Sequence, residues 1–148
     1  MMLYRSFYRF ILVLGSCVLL QACQSTTTSS EQSLYLTLGG QSKVEEIVDN
    51  FIYEIEFNPQ IFPYFTNTNV ERFREKLIEH LCMLTQGPCE YTGDTMVQVH
   101  TGMNITEHDF NLGVDLFIKA MEKADIPHRV QNRVLQTMAP TRKDIIYL

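Results

Sequence analysis

From Val44 onward the chain is written in helical stripes. Val44, Ile47, Val48, Phe51, Ile52 and Ile55 recur at alternating short and long intervals that lay them along one face of a helix. Ser42 and Glu45 stand three apart at the head of that stripe, the spacing of a capping box. Asn58-Pro59 ends the helix, and Phe62-Pro63-Tyr64-Phe65 predicts an aromatic corner broken by proline. Asn69 is placed to cap a second helix whose apolar face runs Val70, Phe73, Leu77, Leu81 and Leu84. Gln86 to Asp94, with Gly87-Pro88 and Gly93, reads as a long loop. A short helix follows, with Met96 and His100 four apart on one face. Thr106-Glu107-His108-Asp109 opens a further helix with stripe Phe110, Val114, Phe117 and Met121; Pro127 opens the last, with Val130, Val134 and Met138 up to Pro140. No stretch alternates with period two and none repeats. The pattern predicts an all-α domain of four amphipathic helices and one short one.

The start of the chain is different. Met1 to Arg9 carries Arg5 and Arg9 and no acid, and Phe10 to Leu20 is apolar apart from Gly15 and Ser16. At about 1.5 Å per residue such a run falls short of a hydrocarbon layer of about 30 Å. A basic start, a short apolar stretch and small residues at its end read as a secretory signal peptide over residues 1–22. Leu20-Gln21-Ala22-Cys23 resembles the lipobox of bacterial lipoproteins. That resemblance implies a diacylated Cys23 thiol, cleavage just before it and acylation of the new terminus. Gln24, where inner-membrane lipoproteins carry Asp, implies outer-membrane sorting, with the domain facing the periplasm. The alternative is a plain signal peptide cleaved after Ala22. Gln24 to Gln32 holds no apolar residue, so residues 23–33 read as a lipidated Cys and flexible tether ahead of a domain over 34–148.

Composition narrows the function classes. With 148 residues, 45% hydrophobic and 20% charged, the chain supports one globular domain and is too apolar for disorder. Lys and Arg number 12 against 17 Asp and Glu, and both basic residues of the signal segment are lost with it, which leaves −7. This balance argues against nucleic-acid binding, which calls for a basic surplus.

His100 is the first candidate for chemistry: a neutral imidazole flanked by Met96 and Val99 can ligate iron through one ring nitrogen. His108 and His128 sit at helix starts and share no zinc spacing with another ligand, so both read as surface residues. Leu36-x-Leu38-Gly39-Gly40, Phe51, Phe65, Tyr91-Thr92-Gly93, Met96-x-x-x-His100, Ile105-Thr106 before Phe110, and Met138-Ala139-Pro140 together resemble the group I truncated haemoglobins, from about Leu34 to Ile146. The resemblance implies a truncated globin, a two-over-two α-helical sandwich enclosing haem b, with His100 as the iron's protein ligand and Phe65 packed on the haem. Tyr91, Arg72 and Lys76 are the candidates for its propionates.

The chain also departs from that family. Its oxygen-stabilising Tyr, directly after the Phe matching Phe51, is Ile52 here, and Tyr53 comes one residue late, turned by about 100°. Phe73 and Leu77 stand where polar residues are common. Bound oxygen carries partial negative charge and needs a donor, and an Ile52–Phe73–Leu77 pocket offers none. Weak oxygen retention with CO and NO bound comparatively well is the expectation. His80 replaces an aromatic on the same helix face; it is either a rim residue touching solvent or a sixth iron ligand or proton path. Cys82 lies about 180° round the helix from the pocket, and with Cys89 it forms either a bridge suited to an oxidising periplasm or two free thiols.

The leading expectation is thus a lipid-anchored haem protein binding O2, NO or CO. Behind it stand NO dioxygenation, which needs a reductase, peroxidase-like turnover, for which only His80 supplies an acid–base group, haem electron transfer, and a haem-less structural lipoprotein.

Overall fold

The computed structural model describes residues 32–148, so the expected signal segment, Cys23 and most of the tether lie outside the described residues. Six α-helices follow one another: α1 Leu34–Leu38, α2 Gln41–Glu56, α3 Val70–Leu84, α4 Met96–His100, α5 Glu107–Lys123 and α6 His128–Met138. Two 3₁₀ turns, Phe62–Phe65 and Ala139–Asp144, complete the set, and no strand occurs among the described residues. The all-α expectation holds. α2 packs most extensively on α5 and also on α3, while α6 meets α1, α3 and α5. Two helix pairs, α2–α3 and α5–α6, therefore lie one over the other, the two-over-two arrangement.

The stripes account for most of the core, to which α3 adds Ile78 from beside its stripe. Val44, Ile47 and Val48 of α2, Ile78 and Leu81 of α3, Phe117 and Met121 of α5 and Val134 of α6 are buried together. Each such side chain contributes about 1.5–3 kcal/mol when removed from water. The two buried polar residues are satisfied locally: the Thr85 hydroxyl donates to the Leu81 carbonyl at 2.7 Å, and Gln131 Nε2 donates to the Ile126 carbonyl at 2.8 Å.

Three local expectations need correction. The five-residue α1, capped by Ser33, stands where no helix is expected. Gly39 ends it with φ +112° and Gly40 caps α2 with φ +72°, two left-handed positions that suit glycine. The Ser42–Glu45 capping box does not form, because α2 already begins at Gln41; Glu45 instead accepts from Gln41 Nε2 at 2.6 Å. Val70 is exposed, since it sits in the first turn of α3 beyond the reach of the core. Asn69 caps α3 as expected, its side chain accepting from the Arg72 N–H at 2.9 Å.

Candidate functional site

The helices enclose a cavity of about 770 Å³ with a mostly apolar lining. Phe51 of α2, Phe65 of the aromatic corner, Phe73 and Leu77 of α3, Phe110, Val114 and Phe117 of α5, and Leu135 and Met138 of α6 form its walls. Helical spacing sorts α3 into two faces: Arg72, Phe73, Lys76, Leu77 and His80 line the cavity, while Ile78, Leu81 and Cys82 enter the core. The rings interlock, with Phe51 edge-on to Phe117 at 5.3 Å and Phe65 tilted on Phe73 at 5.0 Å.

His100 reaches the cavity from the end of α4. Thr95 caps that helix in a reciprocal box: Gln98 N–H donates to the Thr95 hydroxyl at 3.3 Å, and Gln98 Oε1 accepts from the Thr95 N–H at 2.9 Å. His100 Nδ1 lies 2.7 Å from the Met96 carbonyl oxygen. A carbonyl only accepts, so Nδ1 carries the proton and Nε2 keeps its lone pair. Burial pushes the imidazole pKa down, and the bond to Met96 offsets this only in part. A neutral ring fixed in one tautomer is the form that ligates a metal.

The mouth of the cavity is polar and internally neutralised. Arg72 pairs with Asp94 at 3.1 Å; Lys76 Nζ donates to Glu75 and Glu79, both at 2.8 Å, and to the Thr92 hydroxyl at 2.7 Å. The Lys76 ammonium and the Thr92 N–H hold the Glu79 carboxyl down at about 2. The Tyr91 hydroxyl donates to the Asp94 carbonyl at 2.6 Å, and its ring lies 4.9 Å from that of His80. His80 is thereby placed at the mouth beside Tyr91, and burial lowers its pKa.

The structure thus gathers Phe51, Phe65, Phe73, Leu77, His80, Tyr91, Met96, His100, Arg72 and Lys76 around one cavity. Ile52 is the exception and corrects the expected apolar trio. It packs half-buried against the core, because one residue of helix turns it away from the face that Phe51 presents to the cavity. Tyr53 points outward, its ring under Lys123 Nζ at 4.3 Å. Cys82 is fully buried, faces the core and is bonded to Cys89. His108 and His128 are exposed, as expected.

Tyr64 and Asp109 also line the cavity and carry no role in the sequence reading. Asp109 accepts from the Thr106 and Tyr64 hydroxyls at 2.6 and 2.9 Å and from Gln60 Nε2 at 2.8 Å, which depresses its pKa and ties the aromatic corner to the start of α5. The Thr106-x-x-Asp109 spacing was a visible signal; the long-range partners were not.

The two cavity imidazoles give the fold a pH dependence. Unfolded, each takes up a proton near 6.5, and both pKa values are lower in the fold. Below 6.5 the unfolded chain therefore binds more protons, so stability falls as pH falls through that value and levels once the folded rings protonate. The thermal midpoint of the haem-free chain is expected to drop from pH 7 to pH 5. A His80→Gln/His100→Gln variant is expected to lose that slope, and a variant as steep as the parent would refute the assignment.

The sequence model of the bacterial-like globin family matches residues 33–147, and the chain belongs to that family. It is similar to a group 1 truncated haemoglobin of Mycolicibacterium paratuberculosis, 34% identical over 113 residues, which cover 76% of this chain and 83% of that protein. The crystal structure of Tetrahymena pyriformis truncated haemoglobin in its Fe(III) form superposes with a TM-score of 0.76 at 25% identity, covering 79% of this chain and all of the other. A Synechococcus 2/2 haemoglobin with covalently attached heme shares the fold at a TM-score of 0.72 and 18% identity, over 77% of this chain and 98% of that one.

Proposed function

We propose that the domain holds haem b, with His100 Nε2 as the iron's protein ligand, and binds a diatomic gas there. The observation that carries the reading is the His100 imidazole, locked by the Met96 carbonyl with Nε2 free, in an apolar cavity of about 770 Å³. That volume lies in the range of about 300–1,000 Å³ typical of cofactor sites. The lining fits the group: the His100 imidazole with Nε2 free, aromatic and aliphatic walls, and Arg72, Lys76 and a second imidazole, His80, at the mouth. The globin relatives support it. Bound haem supplies an iron centre with a position open to O2, NO or CO. Phe65 and Phe73 fill space against the ring and exclude water, and Leu77 beside them offers no hydrogen-bond donor. CO and NO are therefore favoured over lasting oxygen retention.

We also infer that Cys23 is lipidated and tethers the domain to the outer membrane on its periplasmic side. The Leu20–Cys23 pattern and Gln24 support this, and the Cys82–Cys89 bridge suits an oxidising compartment.

Absorbance spectra of the purified chain supplied with haem test the proposal. A stoichiometric Soret band and a five-coordinate ferrous form are expected. A six-coordinate, low-spin ferrous form lost in His80→Ala would assign His80 to the iron and move the function to electron transfer. No Soret band would leave a globin-shaped protein without haem.

A further inference from the structure

Residues 86–95 run back along α3 as a strap. Its ties step down the helix as the strap steps forward: Cys89 to Cys82, Tyr91 to His80, Thr92 to Glu79 and Lys76, Asp94 to Arg72. The strap then delivers Thr95, the cap of α4, and so carries the helix that ends in His100. Tyr91 and Asp94 on the strap also form part of the cavity mouth. One fold element thus sets both the entrance and the footing of His100.

The ties differ in kind. Arg72–Asp94 is an exposed ion pair, and the Thr92 contacts are exposed hydrogen bonds, open to competition from water and salt. Only Cys82–Cys89 is covalent, with the two Cα atoms 5.8 Å apart. Its two ends are not equivalent. Cys82 is fully buried and roofed by Gly87, where a Cβ would stand 2.5 Å from the Cys82 sulfur. Cys89 is only half-buried. A thiolate therefore reaches the bridge from the Cys89 side.

We propose that Cys82–Cys89 is a thiol–disulfide exchange site that latches the strap, with a protein or small-molecule dithiol as its reductant. A thiolate of the dithiol attacks Cys89 Sγ, the Sγ–Sγ bond breaks, and Cys82 leaves as a thiolate that takes up a proton. The second thiol of the reductant then attacks the mixed disulfide and releases Cys89. Two electrons and two protons pass to the protein, and the reductant departs as its own disulfide. Reduction leaves the strap held by its noncovalent ties alone, which loosens the mouth and the start of α4. The reverse exchange, in which the disulfide form of the dithiol takes the two electrons and two protons back from Cys82 and Cys89, closes it. The consequence for haem rests on the reading of the cavity given above; the release of the strap does not.

The test uses the full chain in detergent, before and after dithiothreitol. Amide hydrogen exchange over residues 86–100 is expected to speed up by about tenfold or more on reduction while α2 and α5 stay protected. Transfer of haem to an apoglobin acceptor is expected to accelerate by a similar factor. A Cys82→Ala/Cys89→Ala variant is expected to exchange like the reduced chain and to ignore the dithiol. Unchanged exchange over 86–100 would overturn the latch, as would equal acceleration throughout the helices or a dithiol response in the cysteine-free variant. Faster exchange with unchanged haem transfer would overturn the coupling to the cavity. If the chain takes up no haem, the exchange measurement still reads the latch, so the two proposals fail separately.

Discussion

Replacing His100 with glycine is expected to weaken haem retention at least about tenfold, with free imidazole restoring the spectrum of the parent. The size of the effect follows from how little else at the site can ligate iron. Among the described residues no cluster of three or more His, Cys, Asp or Glu is placed to hold a metal, and Cys82 and Cys89 are bonded to each other. His80 is the other cavity imidazole, and its ring is engaged at the mouth with Tyr91. Glycine leaves the volume of the missing ring, which exogenous imidazole fills, so rescue separates loss of a ligand from loss of fold. Haem titration followed at the Soret band measures both. Retention equal to the parent without imidazole would show that His100 is not the ligand.

Gln98→Ala is the companion control. It removes the Gln98 half of the capping box and leaves both the Thr95 cap and the ring, so its cost lies below the roughly 1 kcal/mol of a lost N-cap. That loosens α4 without removing its chemistry, so a small fall in retention with an unchanged ferrous spectrum is expected. The contrast between the two variants separates positioning from ligation.

How much of this was legible beforehand depends on the range of the interactions involved. The long helices were written in their stripes and caps: Asn69, Thr106 and Pro127 start helices where their chemistry predicts. α1 was not legible, because five residues are too few to show a period and its position depends on the Tyr35 N–H donating to the Thr85 carbonyl at 2.8 Å. The Ser42–Glu45 spacing misled because a capping box works only where the backbone N–H groups are free, and α2 begins at Gln41 with Gly40 as its cap, two residues earlier than a Ser42 cap would set it. Ile52 was placed by correspondence with the family position rather than by the turn of this helix. The cavity residues were legible through the resemblance; the neutralised mouth and the strap were not. Arg72, Lys76 and Glu79 meet Asp94 and Thr92 only because the loop doubles back, and nothing in a local pattern announces that. Spacing left the cysteine pair open; the folded loop brings Cys89 to Cys82.

Leu77→Gln is expected to slow oxygen release about ten- to a hundredfold while changing CO release little. The argument starts from what the wall lacks. Phe51, Phe73 and Leu77 present only carbon to the cavity, and Ile52 is turned into the core. Three donors that line the cavity are committed elsewhere: the Tyr91 hydroxyl to the Asp94 carbonyl, Tyr64 to Asp109, and Lys76 to Glu75, Glu79 and Thr92. Oxygen bound at a haem gathers negative charge that CO does not, so a new amide donor discriminates between them. A hydrogen bond to a charged acceptor contributes about 1.5–3 kcal/mol, and each 1.4 kcal/mol is a factor of ten in rate. Leu77 is half-buried on a helix face between Phe73 and His80, so Gln fits there without a new cavity and its amide can turn toward the lumen or the mouth. Stopped-flow displacement of oxygen by CO reads the rate directly. A parent chain that already releases oxygen as slowly as the variant would mean that a donor reaches the gas in solution, and the apolar reading of this wall would have to be abandoned. An unchanged rate in the variant beside a fast parent would place the gas away from Leu77.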